Sequence, residues 1–331
     1  MNSSSSSVST TDLNLIQLKL ARYFLVPVYI LGNFGNFANI ALFSQRNIRG
    51  NIFCAWYFIC LSLANLFVLN TGGLSRILSL LINFNLETTS IIFCKSRNYL
   101  IQTGAVIGRY FICLISIERW MVTSTNEMIR RMTSAQIALR LIVIGPCMIA
   151  LFIIHVPIGF AISNERCFAS LNDTYVLFFN IYNMTIITVP VIVITLFSIL
   201  IFTNVRQSRH RVVPISITGF NVQAIYLTTK SAGQQRDIQF IRLALIQIFT
   251  FMLFTIGYGI YNVYDFGTSS IEKSSDRQAI EAFISGIAVN LNYVSVAAPF
   301  FSYTLASNKF RKDCIATFHR YGTLFMRCFG E

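Results

Sequence analysis

The sequence predicts an all-α membrane protein, a bundle of seven membrane-crossing helices. Composition is the first observation behind this fold class: 54% of the 331 residues are apolar in type, 12% are charged, and the mean hydropathy is +0.61. A typical soluble domain carries about 25% charged residues. The chain therefore has about half the usual charge for a folded domain in water. The apolar runs and the charge distribution are the other two observations.

Seven long apolar runs follow one another, separated by short segments with charged or turn residues. A helix of about 20 residues crosses the apolar layer of a bilayer. Lipid offers the backbone no hydrogen-bond partners, so spanning segments form helices or closed barrels, and these runs lack the strict alternation of barrel strands. We therefore expect helices near residues 24–44, 53–81, 94–122, 137–161, 176–204, 239–264 and 280–304.

The segments between the runs give the domain organisation. We expect an extracellular tail over residues 1–22, the membrane domain over 23–305, and a cytoplasmic segment over 306–331. The first residues are polar and rich in serine, without the basic and then apolar pattern of a cleavable signal. We therefore expect the first span itself to direct membrane insertion.

Charge distribution predicts the orientation. With the amino terminus outside, the cytoplasmic segments hold 17 basic and five acidic residues, which is +12 of the net +13. Cytoplasmic loops carry such an excess in membrane proteins. The basic character is thus a topology signal, and no nucleic-acid partner is needed to explain it. Asn2 and Asn172 stand in glycosylation triplets that fall outside in this multi-pass, plasma-membrane topology.

Four of the eight cysteines lie outside the predicted spans or at their ends. Cys94 and Cys167 are the two that face the oxidising side, so we expect a disulfide between them that fastens the second outside loop over the bundle. Cys314 and Cys328 follow the last span on the cytoplasmic side. They are palmitoylation candidates, and free thiols are the alternative.

The residues buried in the spans argue against an enzyme, a metal site or a cofactor. No Asp or Glu lies deep inside a span, and His155 is the one histidine there. Aspartyl proteolysis, zinc binding and proton-coupled transport all need groups that are missing. His155 is therefore interpreted as a polar packing residue rather than a ligand.

Three other polar residues stand in mid-span. Asn36 and Asn65 carry amides that can form hydrogen bonds between helices. Arg109 lies 15 residues past Cys94, about 22 Å along a helix. We expect amide, hydroxyl or backbone partners for Arg109, and both a packing role and a functional role stay open.

The third span ends in Glu118-Arg119-Trp120, an acid, an arginine and an aromatic residue. Arg119 is 25 residues past Cys94, about 37 Å of helix. One helix would therefore carry the outside cysteine at one end and an acid–arginine pair at the other. Charged residues at helix ends are common, but their spacing from the cysteine makes this pattern more specific.

With these motifs in order, nearly the whole chain resembles the rhodopsin-like (class A) G-protein-coupled receptors. The resemblance implies a short amphipathic helix eight within 306–331, after the seven spans. Its motifs are Gly35-Asn36, Ser62-Leu63-Ala64-Asn65, the spacing of Cys94 and Arg119, Cys167, Pro190, Tyr303, and Phe310-Arg311 seven residues later.

The chain also departs from the family pattern. Asn65 replaces the aspartate of the family's sodium pocket, which argues against sodium regulation. The fourth-helix tryptophan is absent, and Thr255 and Gly257 stand where the sixth helix usually has an aromatic residue and a proline. In the seventh helix Pro299 comes one place early relative to Tyr303. Such divergence fits a lineage-specific receptor and also fits impaired signalling.

The resemblance implies a mechanism and partners. An extracellular ligand would favour one arrangement of the bundle, the inner end of helix six would swing outward, and a heterotrimeric G protein would bind there. Glu118, Arg119, Trp120 and Tyr303 would form the switch. Surrounding lipid is the remaining partner. A non-signalling transporter or lipid-moving bundle of receptor ancestry is the alternative.

Missing residues narrow the ligand class. The seventh helix has no lysine for retinal, and Ile101, followed by Gln102, stands where the family's amine receptors have an aspartate. Charges of both signs and aromatic residues at the outer ends favour a peptide, as in neuropeptide receptors, although interfacial tyrosines are common in any membrane protein. The candidate ligand contacts are Arg76, Arg97, Tyr99, Ile101, Gln102, Tyr261, Tyr264, Asp265 and Glu281.

Overall fold

A computed structural model describes residues 10–45, 53–82, 86–163, 166–169, 172–209, 222–268 and 271–329. Within these ranges seven helices are long and apolar enough to cross a membrane. The chain is thus a multi-pass membrane protein with the predicted seven-helix bundle. Spans 1 to 7 are Leu15–Phe43, Cys54–Ile82, Ile91–Thr123, Ala135–Gly159, Asp173–Gln207, Ile238–Gly267 and Ser275–Ala297.

Large apolar side chains cover the outside of the bundle. Phe37, Leu139, Ile192 and Ile256 are among many that are exposed. A soluble monomer rarely exposes such continuous apolar surface, whereas lipid favours it. The exposed face therefore fits a bilayer, and the buried faces of the spans form the contacts between helices.

The first two spans each contain one wide π-helical turn, over Ala21–Leu25 in span 1 and over Leu69–Gly73 in span 2. The helical structure before span 1 starts at Thr10, well before the expected start near residue 24. The difference arises because Asp12, Asn14 and other polar residues lower the local hydropathy without stopping the helix.

Span 3 lies at the centre and contacts spans 2, 4, 5 and 6. It begins at an N-cap, where the Ser90 side chain accepts a hydrogen bond from the Phe93 backbone N–H, a standard way to satisfy a free helix end. Gly104 allows close packing on span 2, since a Cβ there would stand 2.8 Å from the Phe67 ring. This central position lets span 3 reach both ends of the bundle.

At one end of the bundle, aromatic rings from five helices form a cluster. The rings of Phe43 and Phe58 stack with centroids 4.9 Å apart, and Phe240, Tyr303 and Phe310 pack around them. Such ring pairs add about 0.5–1.5 kcal/mol each beyond the area they bury. The cluster therefore holds spans 1, 2 and 6 together with the two helices that follow span 7.

The seventh helix is interrupted where the displaced proline stands. Span 7 ends at Ala297, and a second helix runs over Pro299–Ala306, because proline fits the first turn of a helix and breaks its interior. The C-terminal helix follows over Asn308–Phe329. The sixth helix continues through Gly257 without a break.

A short antiparallel hairpin connects spans 4 and 5. Its strands are β1 (Phe160–Ser163) and β2 (Arg166–Ala169), and Cys167 pairs with Ile162 across the register. Cys94 and Cys167 form a disulfide with their Cα atoms 5.8 Å apart. The predicted bridge is thus present, and it fastens the hairpin to the start of span 3.

Candidate functional site

Two arginines connect three spans at the disulfide end of the bundle. Arg97 of span 3 pairs with Glu87 at 2.8 Å, and its Nε donates to Ser75 Oγ at 2.6 Å. Arg76 of span 2 donates from Nε to Asn290 Oδ1 of span 7 at 3.0 Å. We call these five residues the outer arginine network. Sequence reasoning found both arginines but missed Glu87 and Asn290, whose roles depend on distant packing.

A second network surrounds a carboxylate at the same end. Glu281 accepts hydrogen bonds from Lys273 Nζ at 2.7 Å, Arg277 Nε at 2.9 Å and the Tyr264 hydroxyl at 2.8 Å. Asp265 lies 3.7 Å from Lys273 Nζ. The hydrogen bond to Glu281 raises the pKa of Lys273 above its ordinary value. We call these five residues the outer carboxylate network.

Sequence reasoning named three members of this network and missed Lys273 and Arg277. Arg277 stands four residues before Glu281 on one helix, and the two form an ion pair. That spacing places side chains next to each other on a helix, so the ion pair could have been predicted from the sequence. Lys273 precedes the helix, and only the fold brings it to Glu281.

Two further candidates are engaged in helix packing. The Tyr99 hydroxyl donates to the Ala150 carbonyl of span 4 at 3.1 Å, and Gln102 Nε2 donates to Asn183 Oδ1 of span 5 at 3.1 Å. Tyr261 is half-buried and lies three residues before Tyr264. These three residues lie deeper in the bundle than the outer networks, one turn or so further along the same helices.

Below the outer networks lies a cavity of about 130 Å³ between spans 2, 3, 6 and 7. Span 3 contributes residues from Ile101 to Ile112, about 16 Å along the helix axis. The lining is mixed, with apolar side chains beside amides and hydroxyls. Its polar members are Asn65, Arg109, Gln247, Tyr258, Asn292, Tyr293 and Ser295.

The two mid-span asparagines connect three helices beside this cavity. Asn65 Nδ2 donates to Asn36 Oδ1 at 3.2 Å, and Asn36 Nδ2 donates to the Val296 carbonyl of span 7 at 3.1 Å. Both side chains are buried. Because an unpaired buried amide is costly, these bonds fix the relative positions of spans 1, 2 and 7.

Arg109 differs from the sequence expectation. Its side chain is 6% exposed and lines the cavity, but Nη1 has no hydrogen-bond partner. The expected amide, hydroxyl or backbone partner of this nitrogen is therefore missing among the described residues.

His155 joins an aromatic cluster between spans 4 and 5. Its Nδ1 lies 3.1 Å from the Tyr175 hydroxyl, which donates to the His155 carbonyl at 3.0 Å. Its ring packs edge-on against Phe178 and Tyr182. These contacts agree with a packing residue.

At the opposite end of span 3, Glu118 and Arg119 form a two-pronged ion pair. Arg119 donates from Nε and Nη2 to the two oxygens of Glu118, both at 2.6 Å. Its guanidinium also lies over the Phe240 ring of span 6, 5.6 Å from the centroid. Neighbouring Trp120 packs against Phe197 of span 5 at 5.2 Å. Arg119 is 1% exposed, so its guanidinium is closed off from solvent.

A hydrogen bond joins span 6 to the helix Pro299–Ala306 at the same end. The hydroxyl of Tyr303, which is 1% exposed, donates to Gln247 Oε1 at 2.6 Å. Sequence reasoning missed Gln247. Its polar side chain stands out within the largely apolar run 243–251, and this signal could have identified it. Glu118, Arg119, Phe240, Gln247 and Tyr303 together form what we call the inner switch.

The modification candidates differ in accessibility. Asn2 lies outside the described residues, as does the side chain of Cys328. Asn172 is exposed, and its Oδ1 accepts a hydrogen bond from the Tyr175 N–H. Cys314 is buried in the aromatic cluster, and burial raises the pKa of its thiol. The thiolate is the reactive form, so the structure favours packing over acylation at Cys314.

The comparisons with known proteins bear on the whole bundle. The sequence model of the family described as 7 transmembrane receptor (rhodopsin family) matches residues 35–301, most of the chain. A search of curated proteins finds no match.

In the part of the chain that the structure describes, no group of three or more His, Cys, Asp or Glu residues could hold a metal ion.

Proposed function

The chain belongs to the rhodopsin family of seven-transmembrane receptors, and we propose that it binds an extracellular peptide and activates a heterotrimeric G protein. Receptor signalling across a membrane is what this family does, and receptors of this kind are not enzymes. The orientation, the peptide and the G protein are our proposals. In this proposal the outer networks face the extracellular side of the plasma membrane.

The inner switch is the observation that carries the G-protein proposal. Arg119 is held by Glu118 and covered by Phe240 of span 6, and Tyr303 binds Gln247 of the same span. Opening a path to Arg119 therefore requires the inner end of span 6 to move. A ligand that binds the moved arrangement better would shift the population toward it.

Replacing Arg119 tests this role. Arg119→Ala should abolish recruitment of G protein in cells, because the buried guanidinium is the group that the moved span exposes. Arg131→Ala is the matched control, since Arg131 is 78% exposed in its pair with Glu127 and such pairs contribute little. Full recruitment by Arg119→Ala at normal surface expression would refute the assignment.

The outer networks support a peptide ligand. They place charges of both signs around one end of the bundle, and the side chains of Asp265 and Arg277 are 52% and 38% exposed. A peptide supplies charged termini and backbone groups for such a surface. Residues that line the cavity inward, such as Ile101, would limit how deeply the peptide enters.

A peptide library screened against cells that express the chain tests the ligand class. Any peptide found should lose potency with Ile101→Lys, which adds a charge in the cavity, or with Gln102→Lys, which adds one at the contact with span 5. Ile92→Lys is the control, since Ile92 is 77% exposed on the same helix. Potency that is unchanged by the first two substitutions would place the peptide elsewhere.

Epitope tags test the orientation. An antibody on intact cells should detect a tag at the amino terminus and miss a tag at the carboxyl terminus. The opposite pattern would reverse the membrane sides of both networks and of the inner switch, and it would contradict the proposal.

A further inference from the structure

Arg109 carries a positive charge in the middle of the bundle. Arginine stays protonated in proteins, and a charge inside a membrane domain is costly unless it is paired. Among the described residues that line its cavity, none is an Asp or a Glu. The next acid along span 3 is Glu118, nine residues away, about 13 Å along the helix, and it is already paired with Arg119.

The cavity has room and suitable neighbours for a counter-ion. Its volume of about 130 Å³ is several times the roughly 10–15 Å³ that one water needs. Tyr258, Asn292 and Ser295 line it with hydroxyls and an amide, which can donate hydrogen bonds. Arg109 Nη1 is buried and has no hydrogen-bond partner in the described part of the chain. A positive charge beside neutral donors is chemistry that selects an anion.

We propose that this cavity binds a small monovalent anion of the chloride class, held by Arg109. The anion neutralises the guanidinium, and it accepts the hydrogen bonds that the described residues leave unmade. The same chemistry has two sources, a free halide from the solution or an acidic group of an extracellular ligand that reaches Arg109. The free halide is the source proposed here, and it acts without any other ligand.

The site is connected to the inner switch. Gln247 lines the cavity, and its Oε1 also accepts a hydrogen bond from the Tyr303 hydroxyl. Asn65 lines it from the other side and binds Asn36. An anion between these groups therefore stabilises the arrangement of spans 2, 3, 6 and 7 that the structure shows.

Thermal unfolding of the purified full-length chain, without added ligand, tests the site. Sodium gluconate is replaced stepwise by sodium chloride at constant ionic strength. The unfolding midpoint should rise and then saturate, and chloride at ten times its Kd should raise the ratio of folded to unfolded protein about 11-fold. An unchanged midpoint across the series would overturn the proposal.

Three variants locate the effect. Arg109→Gln should lose the chloride response, because it keeps hydrogen-bond donors but removes the charge. Asn65→Asp should lose it as well, because Asn65 lines the same cavity as Arg109, so a carboxylate there supplies the negative charge in place of the anion. Arg140→Gln, at an exposed arginine of span 4, should keep the full response.

The variants also keep the test decisive. A chloride response that survives in Arg109→Gln would overturn the proposal. Should Arg109→Gln fail to fold, Asn65→Asp decides, since loss of its response supports the site and retention overturns it. Sodium acetate in place of chloride separates the two sources. Stabilisation by acetate with none by chloride would assign the site to an acidic ligand group and overturn the free halide.

Discussion

The buried ion pair of the inner switch predicts the effect of Glu118→Gln on basal signalling. The substitution keeps the size of the side chain but removes the charge that binds Arg119 through two hydrogen bonds of 2.6 Å. The pair is formed within span 3 while Phe240 of span 6 covers the guanidinium. Weakening it should therefore favour the arrangement in which span 6 has moved.

The size of the effect follows from the burial of the pair, in which the Arg119 side chain is 1% and the Glu118 side chain 11% exposed. A hydrogen bond to a charged group contributes about 1.5–3 kcal/mol. If the resting state alone loses this energy, the equilibrium shifts about 10- to 100-fold, since about 1.4 kcal/mol is a factor of ten. An active population of about 1% would then become about 10% or more.

The assay is ligand-free recruitment of G protein in cells, normalised to receptor at the surface. Glu127→Gln is the matched control, because it breaks an ion pair of the same chemistry, 2.7 Å long, whose side chains are 78% and 67% exposed. That exposed pair should contribute little and leave basal recruitment unchanged. Wild-type basal recruitment by Glu118→Gln would refute the idea that the ion pair restrains the switch.

Three further predictions concern stability and packing. Cys94→Ser should lower the unfolding midpoint and the surface expression. The disulfide closes a sequence separation of 73 residues, and such a crosslink contributes about 4 kcal/mol. Equal stability of the oxidised and the reduced wild type would argue against this prediction. Gly32→Ala should destabilise by about 1–3 kcal/mol, because its Cβ would lie 2.7 Å from a side chain and 3.1 Å from the backbone of span 7. Gly267→Ala should be tolerated in the same thermal assay, because its Cβ would have no described atom within 4 Å. Tyr303→Phe should cost about 1–3 kcal/mol, because Gln247 Oε1 is left buried without its donor; an unchanged midpoint would contradict that reasoning.

The fold was largely predictable because its determinants are local. Lipid requires helices wherever an apolar run is long enough, and all seven expected spans are present. Helix ends were harder to predict, because a hydropathy profile depends on composition and does not report backbone hydrogen bonds. The helical structure that leads into span 1 starts at Thr10. Gln17, in the first turn of span 1, approaches Gly286 of span 7, a contact that no local pattern signals.

In the candidate site too, contacts between residues close in sequence were predictable, and contacts between distant helices were not. The Glu118–Arg119 pair is adjacent in sequence, and the distance of Arg119 from Cys94 along one helix places it at the other end of the span. Partners on other helices were not predictable. Arg76 donates a hydrogen bond to Asn290, which lies 214 residues later in the sequence, and Arg109 faces a cavity that is lined by residues of four spans. Such contacts depend on helix rotation and packing, which hydrophobic periodicity does not specify.

Nucleotide exchange on purified heterotrimeric G proteins tests the central claim most directly. The full-length chain is reconstituted in bilayer discs, and GTP uptake by the G protein is followed for wild type, Glu118→Gln and Arg119→Ala. We expect Glu118→Gln to accelerate exchange above wild type and Arg119→Ala to give the rate of empty discs. No acceleration by Glu118→Gln with any class of heterotrimer, or acceleration that survives in Arg119→Ala, would contradict the account.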